Sequence, residues 1–225
     1  MNVAIIASST KSERIPDKNI SLVDGKPMIV YPIEAALASG MFDQVIVSTA
    51  DEKTAQIVKQ AGAKVYPSPA GLQRKKNTVA NCCHSVLNVL LRDGGTPEFF
   101  CNIFATAIFL NPSDFIDSSK LLDHSDYVMG VSKFVYEPEH AMVMRDGYLD
   151  PVNRRSLRYK APSFPTKYSS NGTIAWCRVE SFMHTRGFYG PRLLGYEIPR
   201  SRVVDINTPE DLDLARILMN SKSSR

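Results

Sequence analysis

The 225 residues suffice for one sizeable domain, or a domain with a small appendage, that buries a core without covalent staples. With 44% hydrophobic and 22% charged residues, 12 Gly and 14 Pro, the composition excludes a disordered, collagenous or disulfide-scaffold protein. Lys and Arg number 27 against 23 Asp and Glu, and the formal charge of +4 suits anionic ligands without the concentrated positive charge of a nucleic-acid binder.

Short apolar runs alternate with helical patterns through the first two thirds of the chain. Residues 3–6 read as a strand, and 7–26 as a long polar loop. Pro27 opens a helix that Gly40 ends, since Pro is tolerated at the first helical position and Gly past the last. Residues 45–47 form a second strand. Asp51 starts a helix through Gln60, stopped by Gly62, and 64–66 make a third strand. Residues 79–91 carry a helical apolar face, 99–104 a buried strand, and Asn111-Pro112-Ser113 starts a helix ending near Leu122. The next strand is 127–132. The alternation predicts a mostly parallel sheet with helices on both faces.

The stretch 134–170 breaks the pattern. An Asp146-Gly147 turn between 141–144 and 148–149 predicts a hairpin. Strands follow at 173–177, 194–198 and 203–204. Thr208-Pro209-Glu210-Asp211 caps a final helix running to about Leu218, before a frayed tail.

The four cysteines, Cys82, Cys83, Cys101 and Cys177, include no CxxC pair and read as reduced, buried side chains. His84, inside an apolar helical pattern, reads as a packing residue. The N-terminus lacks a basic leader segment, and no run of 18 apolar residues occurs, so a cytoplasmic protein with no membrane partner is expected.

Parallel sheets bind ligands beyond the carboxyl ends of their strands, where residues 7–19 emerge. This loop carries Lys11, Ser12, Arg14 and Lys18 but no glycine, so it is neither a Walker A loop nor a dinucleotide fingerprint. Its Ser12, Arg14, Ile15, Pro16, Lys18 and Asn19 resemble, at the right spacing, the first loop of the CMP-sugar-acid synthetases. The similarity continues through Gly25-Lys26-Pro27-Met28, Ile33-Glu34-Ala35-Ala36 and Val45-Ile46-Val47-Ser48-Thr49. Ala105-Thr106-Ala107 is similar to the pseudaminate branch, and Asn171-Gly172 and Asp205-Ile206-Asn207-Thr208-Pro209-Glu210-Asp211 match late family segments. The resemblance spans nearly the whole chain and is nearest to the pseudaminate cytidylyltransferases.

The resemblance implies an α/β, three-layer, mostly parallel sheet of the nucleotide-sugar transferase (Rossmann-like) type over residues 1–225, with a protruding dimerisation arm at about 134–170. It implies CMP transfer from CTP to the anomeric hydroxyl of a nonulosonic sugar acid, Mg²⁺ as cofactor, and a homodimer. Carried over, Lys18 and Asp205 are the catalytic residues. Lys11, Ser12, Arg14, Asn19 and Thr78 contact the nucleotide, Thr106 and Asn171 the sugar acid, and Asp205 with Asn207 the metal. The basic cluster Arg154, Arg155, Arg158, Lys160 and Lys167 on the arm would face the sugar carboxylate across the dimer.

The sequence also departs from the family pattern. The family's loop arginine is Ser9, its paired glycines are Thr10 and Lys11, and its loop lysine is Glu13. An acid after the second strand is Ala50, an arginine after the third is Ser68, a proline after Ala-Thr-Ala is Ile108, and a metal-facing Asp is Asn207. Positive charge is thinned and backbone freedom reduced where a triphosphate would sit. Two explanations stand. Either Lys11, Arg14 and Lys18 rebuild the phosphate site, or the chain is a catalytically degenerate homologue that binds nucleotide or sugar acid, or acts as a partner or regulator.

Overall fold

The computed structural model describes residues 1–8, 14–68 and 79–223. In chain order, β1 (Asn2–Ala7) is followed by two two-residue strands, β2 (Leu22–Val23) and β3 (Lys26–Pro27), then α1 (Val30–Ala38), β4 (Gln44–Thr49), α2 (Glu52–Gln60) and β5 (Lys64–Pro67). After α3 (Val79–Arg92) come β6 (Phe99–Phe104), α4 (Pro112–Ser119) and β7 (Tyr127–Lys133). The hairpin β8 (Met142–Arg145) and β9 (Tyr148–Pro151) precedes β10 (Tyr168–Arg178), α5 (Val179–Thr185), β11 (Leu194–Glu197) and α6 (Pro209–Ser223).

Seven strands form one sheet in the order β11-β7-β10-β6-β1-β4-β5. All run parallel except β10, which is antiparallel to both β6 and β7. Strand side chains alternate between faces, so Ala4, Ile6, Val45, Val47, Ile103 and Trp176 pack with α1 and α4 on one side. Val3, Ile5, Ile46, Phe100 and Cys177 pack with α3 and α5 on the other. Trp176 is fully buried, donates from Nε1 to Ser118 Oγ at 2.9 Å and stacks on Phe42.

A third, smaller core lies beyond the carboxyl ends of the parallel strands. Ile15, Met28, Ile108 and Phe109 close there on Ile206, Leu212 and Ala215. It fastens the first loop to the chain just before α6. Ile108, in place of a family proline, is 5% exposed and belongs to this core.

The arm leaves the sheet after β7 and returns at β10, its neck closed by the Phe134 N–H donating to Lys167 O at 3.1 Å. Asp146 and Gly147 both have positive φ, as the two-residue hairpin turn requires. Met144, Tyr148, Leu149 and Val152 are exposed.

Several boundaries correct the sequence reading. Pro27 does not open a helix; it pairs with Leu22, and α1 begins three residues later. Residues 203–204 are not a strand, because the chain there turns away from the sheet towards the third core. Helix α6 continues to Ser223 rather than ending near Leu218, and α4 gives way at Lys120 to a 3-10 turn. Helix α5 was not anticipated. The four cysteines are free and buried, and His84 is half-buried with Nδ1 at 3.0 Å from Asn88 Nδ2. Among the described residues no helix is long and apolar enough to cross a membrane.

Candidate active site

Strand β1 delivers Ser8 to the carboxyl edge of the sheet, where its N–H donates to Ser48 O at 2.9 Å. Asn19 lies beneath this strand end. Its Nδ2 donates to Ser8 Oγ at 2.9 Å, and its carbonyl accepts the Ile29 N–H at 2.8 Å. A 3-10 turn at Lys18–Ile20 follows Asp17, whose left-handed backbone turns the loop back.

Lys18 crosses to the late acidic segment, where its Nζ donates to Ile206 O at 2.7 Å. Ile206 is fully buried in the third core. In extended chain its neighbours point the opposite way, and Asp205 is accordingly exposed and Asn207 half-exposed. Arg14 Nη2 reaches Asn207 Oδ1 at 3.4 Å, a long contact. The Asp211 carboxylate accepts from the Asn207 N–H at 2.9 Å, the Thr208 N–H at 2.8 Å and Thr208 Oγ1 at 3.0 Å. The Asn207 and Thr208 bonds hold this carboxyl below its ordinary range and fix the turn at the start of α6.

Charge around Lys18 is finely opposed. Burial lowers its pKa from the ordinary lysine value and Arg14 adds to that, while Asp205 and Asp211 pull it back up. The result is an ammonium held between two acids and a guanidinium, with one main-chain acceptor, Ile206 O, among the described residues.

Asp205 neighbours Gly172 of β10: a Cβ built on that glycine would lie 3.4 Å from Asp205 Oδ1. Asn171 is 6% exposed, and its amide is engaged within the protein on both sides. Nδ2 donates to Ser132 Oγ at 3.1 Å, and Oδ1 accepts Thr173 Oγ1 at 2.5 Å. Thr106 sits in the buried turn after β6, its carbonyl accepting the Ile108 N–H at 2.9 Å. Lys11, Ser12 and Thr78 lie outside the described residues. Of the arm cations, Arg154 pairs with Asp150 at 3.2 Å and Lys167 with Glu139; Arg155, Arg158 and Lys160 are exposed.

Sequence reasoning missed a neighbouring apolar pocket of about 220 Å³. Phe104, Met129, Ser170, Ile174, Phe188 and Tyr189 are among its lining residues. The available signal was the aromatic pair Phe188-Tyr189 set between Gly187 and Gly190 in an otherwise polar loop.

Among the described residues no three His, Cys, Asp or Glu side chains form a metal cluster. One outward carboxylate at Asp205 and one amide at Asn207 nevertheless fit Mg²⁺, which commonly takes one or two protein ligands and fills its shell with phosphate oxygens and water.

Lys18, Arg14 and the exposed Asp205 carboxylate gather beyond the carboxyl ends of a mostly parallel sheet, where α/β proteins of this class bind their ligands. The structure of CMP:2-keto-3-deoxy-manno-octonic acid synthetase complexed with CTP shares this fold, with a TM-score of 0.74, 16% identity, and coverage of 98% of this chain and 99% of that one. Residues 3–146 match the family model described as Cytidylyltransferase, and the chain belongs to that family. It is 26% identical to the pseudaminic acid cytidylyltransferase of Campylobacter jejuni, over 96% of this chain and 95% of that protein. It is also 26% identical to the N-acylneuraminate cytidylyltransferase of Escherichia coli, over 98% of this chain but only 52% of that protein, so it spans about half of this longer relative.

Proposed function

We propose that this chain transfers CMP from CTP to the anomeric hydroxyl of a nonulosonic sugar acid of the sialic, pseudaminic or legionaminic type. The new bond joins the sugar oxygen to the α-phosphorus, the bond from that phosphorus to the bridging oxygen breaks, pyrophosphate departs and the hydroxyl proton is released. The single observation that carries this reading is the Lys18-to-Ile206 hydrogen bond at 2.7 Å, which brings a cation beside the chain that carries the Asp205 carboxylate.

In this reading Lys18 and Arg14, with Lys11 and Ser12, face the phosphates and oppose the charge that builds as pyrophosphate leaves. Asn19 and Thr78 would contact the nucleoside. Asp205, assisted by Asn207, would hold Mg²⁺, which neutralises phosphate oxygens and the leaving group. Thr106 lies towards the sugar acid, and the pocket beside β10 suits its apolar substituents. Residues 1–225 act as one catalytic unit. The exposed apolar arm, together with its cations, suits pairing with a second copy, giving a cytoplasmic homodimer.

The test is pyrophosphate release from purified protein, CTP and Mg²⁺ with a panel of nonulosonic and Kdo-type acids. Release with a nonulosonic acid is expected. Binding of CTP without release from any acid would mean a ligand-binding relic, and no CTP binding a scaffold.

A further inference from the structure

We propose that Asn171 is a positioning residue, holding Gly172 and through it the Asp205 carboxylate, and not a contact to the sugar acid. The inference rests on reading Asp205 as the metal ligand of a cytidylyltransferase.

The pairing of β10 with β7 is broken at one place. Ser170 opposes Val131 and Ala175 opposes Met129, so residues 171–174 all stand against Gly130 alone. Bulges of this kind re-aim side chains next to active sites. Gly130 makes room for it: a Cβ there would come 2.3 Å from Thr173 Oγ1 and 3.0 Å from Asn171 Oδ1. Inside the bulge runs a chain of hydrogen bonds. Thr173 Oγ1 donates to Asn171 Oδ1, Asn171 Nδ2 to Ser132 Oγ at 3.1 Å, and Ser132 Oγ to Ile198 O at 2.7 Å. Asn171, Thr173 and Ser132 are each at most 6% exposed.

The buried chain ties β10 to β7 and to the end of β11, and forces the intervening residue outward. Gly172 takes φ +65°, a conformation that glycine alone adopts without strain. On its side-chain side the nearest group is the Asp205 carboxylate, whose Oδ1 lies 3.4 Å from the point a Cβ would occupy. The other side of the same bulge lends Ser170 and Ile174 to the apolar pocket. One amide therefore sets the spacing between the carboxylate and the pocket.

Thr173 provides the test, because its side chain is buried and its hydroxyl bonds the Asn171 amide rather than a residue proposed to hold the metal. The probes are Mn²⁺ with CTP, read by the paramagnetic resonance of free Mn²⁺, and steady-state kinetics with the best sugar acid. Asn171→Ala and Thr173→Val should each weaken Mn²⁺ uptake in the presence of CTP by about 10–100-fold and lower kcat comparably, the usual effect of losing a residue that orients a ligand. KM for the sugar acid should stay within about twofold, since no sugar contact is removed. Thr173→Ser, which keeps the hydroxyl, should restore both readouts; if Thr173→Val fails to fold, Thr173→Ala takes its place.

A large rise in sugar-acid KM in Asn171→Ala, with Thr173→Val neutral, would make Asn171 a sugar contact and overturn the proposal. Unchanged Mn²⁺ uptake in both variants would also overturn it. If the wild type turns over no sugar acid yet both variants lose Mn²⁺ uptake, positioning stands and the transferase reading falls. A wild type that takes up no Mn²⁺ with CTP removes both.

Discussion

Arg202 grips Asp114 through two nitrogens, Nη1 to Oδ2 at 2.6 Å and Nη2 to Oδ1 at 2.8 Å. Asp114 is 1% exposed and also accepts from the Asn111 N–H at 2.7 Å and the Tyr196 hydroxyl at 3.1 Å. The pair anchors the segment three residues ahead of Asp205 to the start of α4. Burial pushes the Asp114 carboxyl up, but Arg202, Asn111 and Tyr196 together hold it below its ordinary value. Arg202→Ala leaves a buried carboxylate short of donors and should cost about 3–5 kcal/mol in chemical denaturation. A depressed carboxylate pKa stabilises above the unfolded value and ceases to do so as pH falls through the folded one. The gap between wild type and variant should therefore narrow in acid; a gap independent of pH would disconnect it from the ion pair.

Lys18 should set an alkaline limit to activity. Its pKa lies below the ordinary 10.5, chiefly through burial, so the free protein loses this positive charge earlier than an exposed lysine would. Only the protonated form attracts phosphate, and kcat/KM for CTP should fall as pH rises through that lowered value. Lys18→Arg, charged throughout this range, should shift the limb upward, and Lys18→Met should lower kcat/KM by on the order of 10²–10³-fold at neutral pH. An alkaline limb that Lys18→Arg leaves in place would free Lys18 of this role.

Asn102 is a flaw in the central sheet. It is fully buried between Ile5 and Ala175, and among the described residues its Nδ2 has no partner while Oδ1 meets only Cys83 Sγ at 3.6 Å. Asn102→Val removes the unsatisfied amide and suits a strand, and should stabilise by about 1–2 kcal/mol. Thermal unfolding should move up by about 2–4 °C per kcal/mol in a chain of this size. A lower midpoint would mean that the amide is satisfied in solution.

The arm gives a test of assembly. Met144 is 63% and Leu149 58% exposed, and the two pair directly across the hairpin on one face. Placing two charges there by Met144→Glu and Leu149→Glu should turn the proposed dimer into monomers in sedimentation velocity, with the far-ultraviolet spectrum unchanged. Sedimentation identical to the wild type would take the hairpin out of the interface.

Much of the sheet was legible because its strands are short apolar runs bounded by Gly, Pro and Asp, and because Asp51 caps α2 as its position promised, Oδ2 accepting the Thr54 N–H at 2.7 Å. Pro27 misled because its fixed φ suits an extended pair as well as a first helical turn. Residues 203–204 carry two valines, the strand-favouring type, yet tertiary packing of Ile206 overrode that preference. At the site, Lys18 and Asp205 were legible through the family resemblance, but the structure alone shows Lys18 reaching across to Ile206 beside Asp205. The orientation of Asn171 was not legible, because no local pattern announces a bulge whose stretch of four residues answers a single glycine on another strand.

The reversed direction of β10 has a consequence for how this protein can change. An insertion between two parallel neighbours would have to travel the length of the molecule; here it departs and comes home at the same rim, through a neck one hydrogen bond wide. Whatever is grafted onto that neck stands at the carboxyl rim of the sheet, while the seven strands themselves are left untouched. If the arm serves pairing as proposed, partnership is rewritten by swapping one appendix, with the foundation beneath it standing as before.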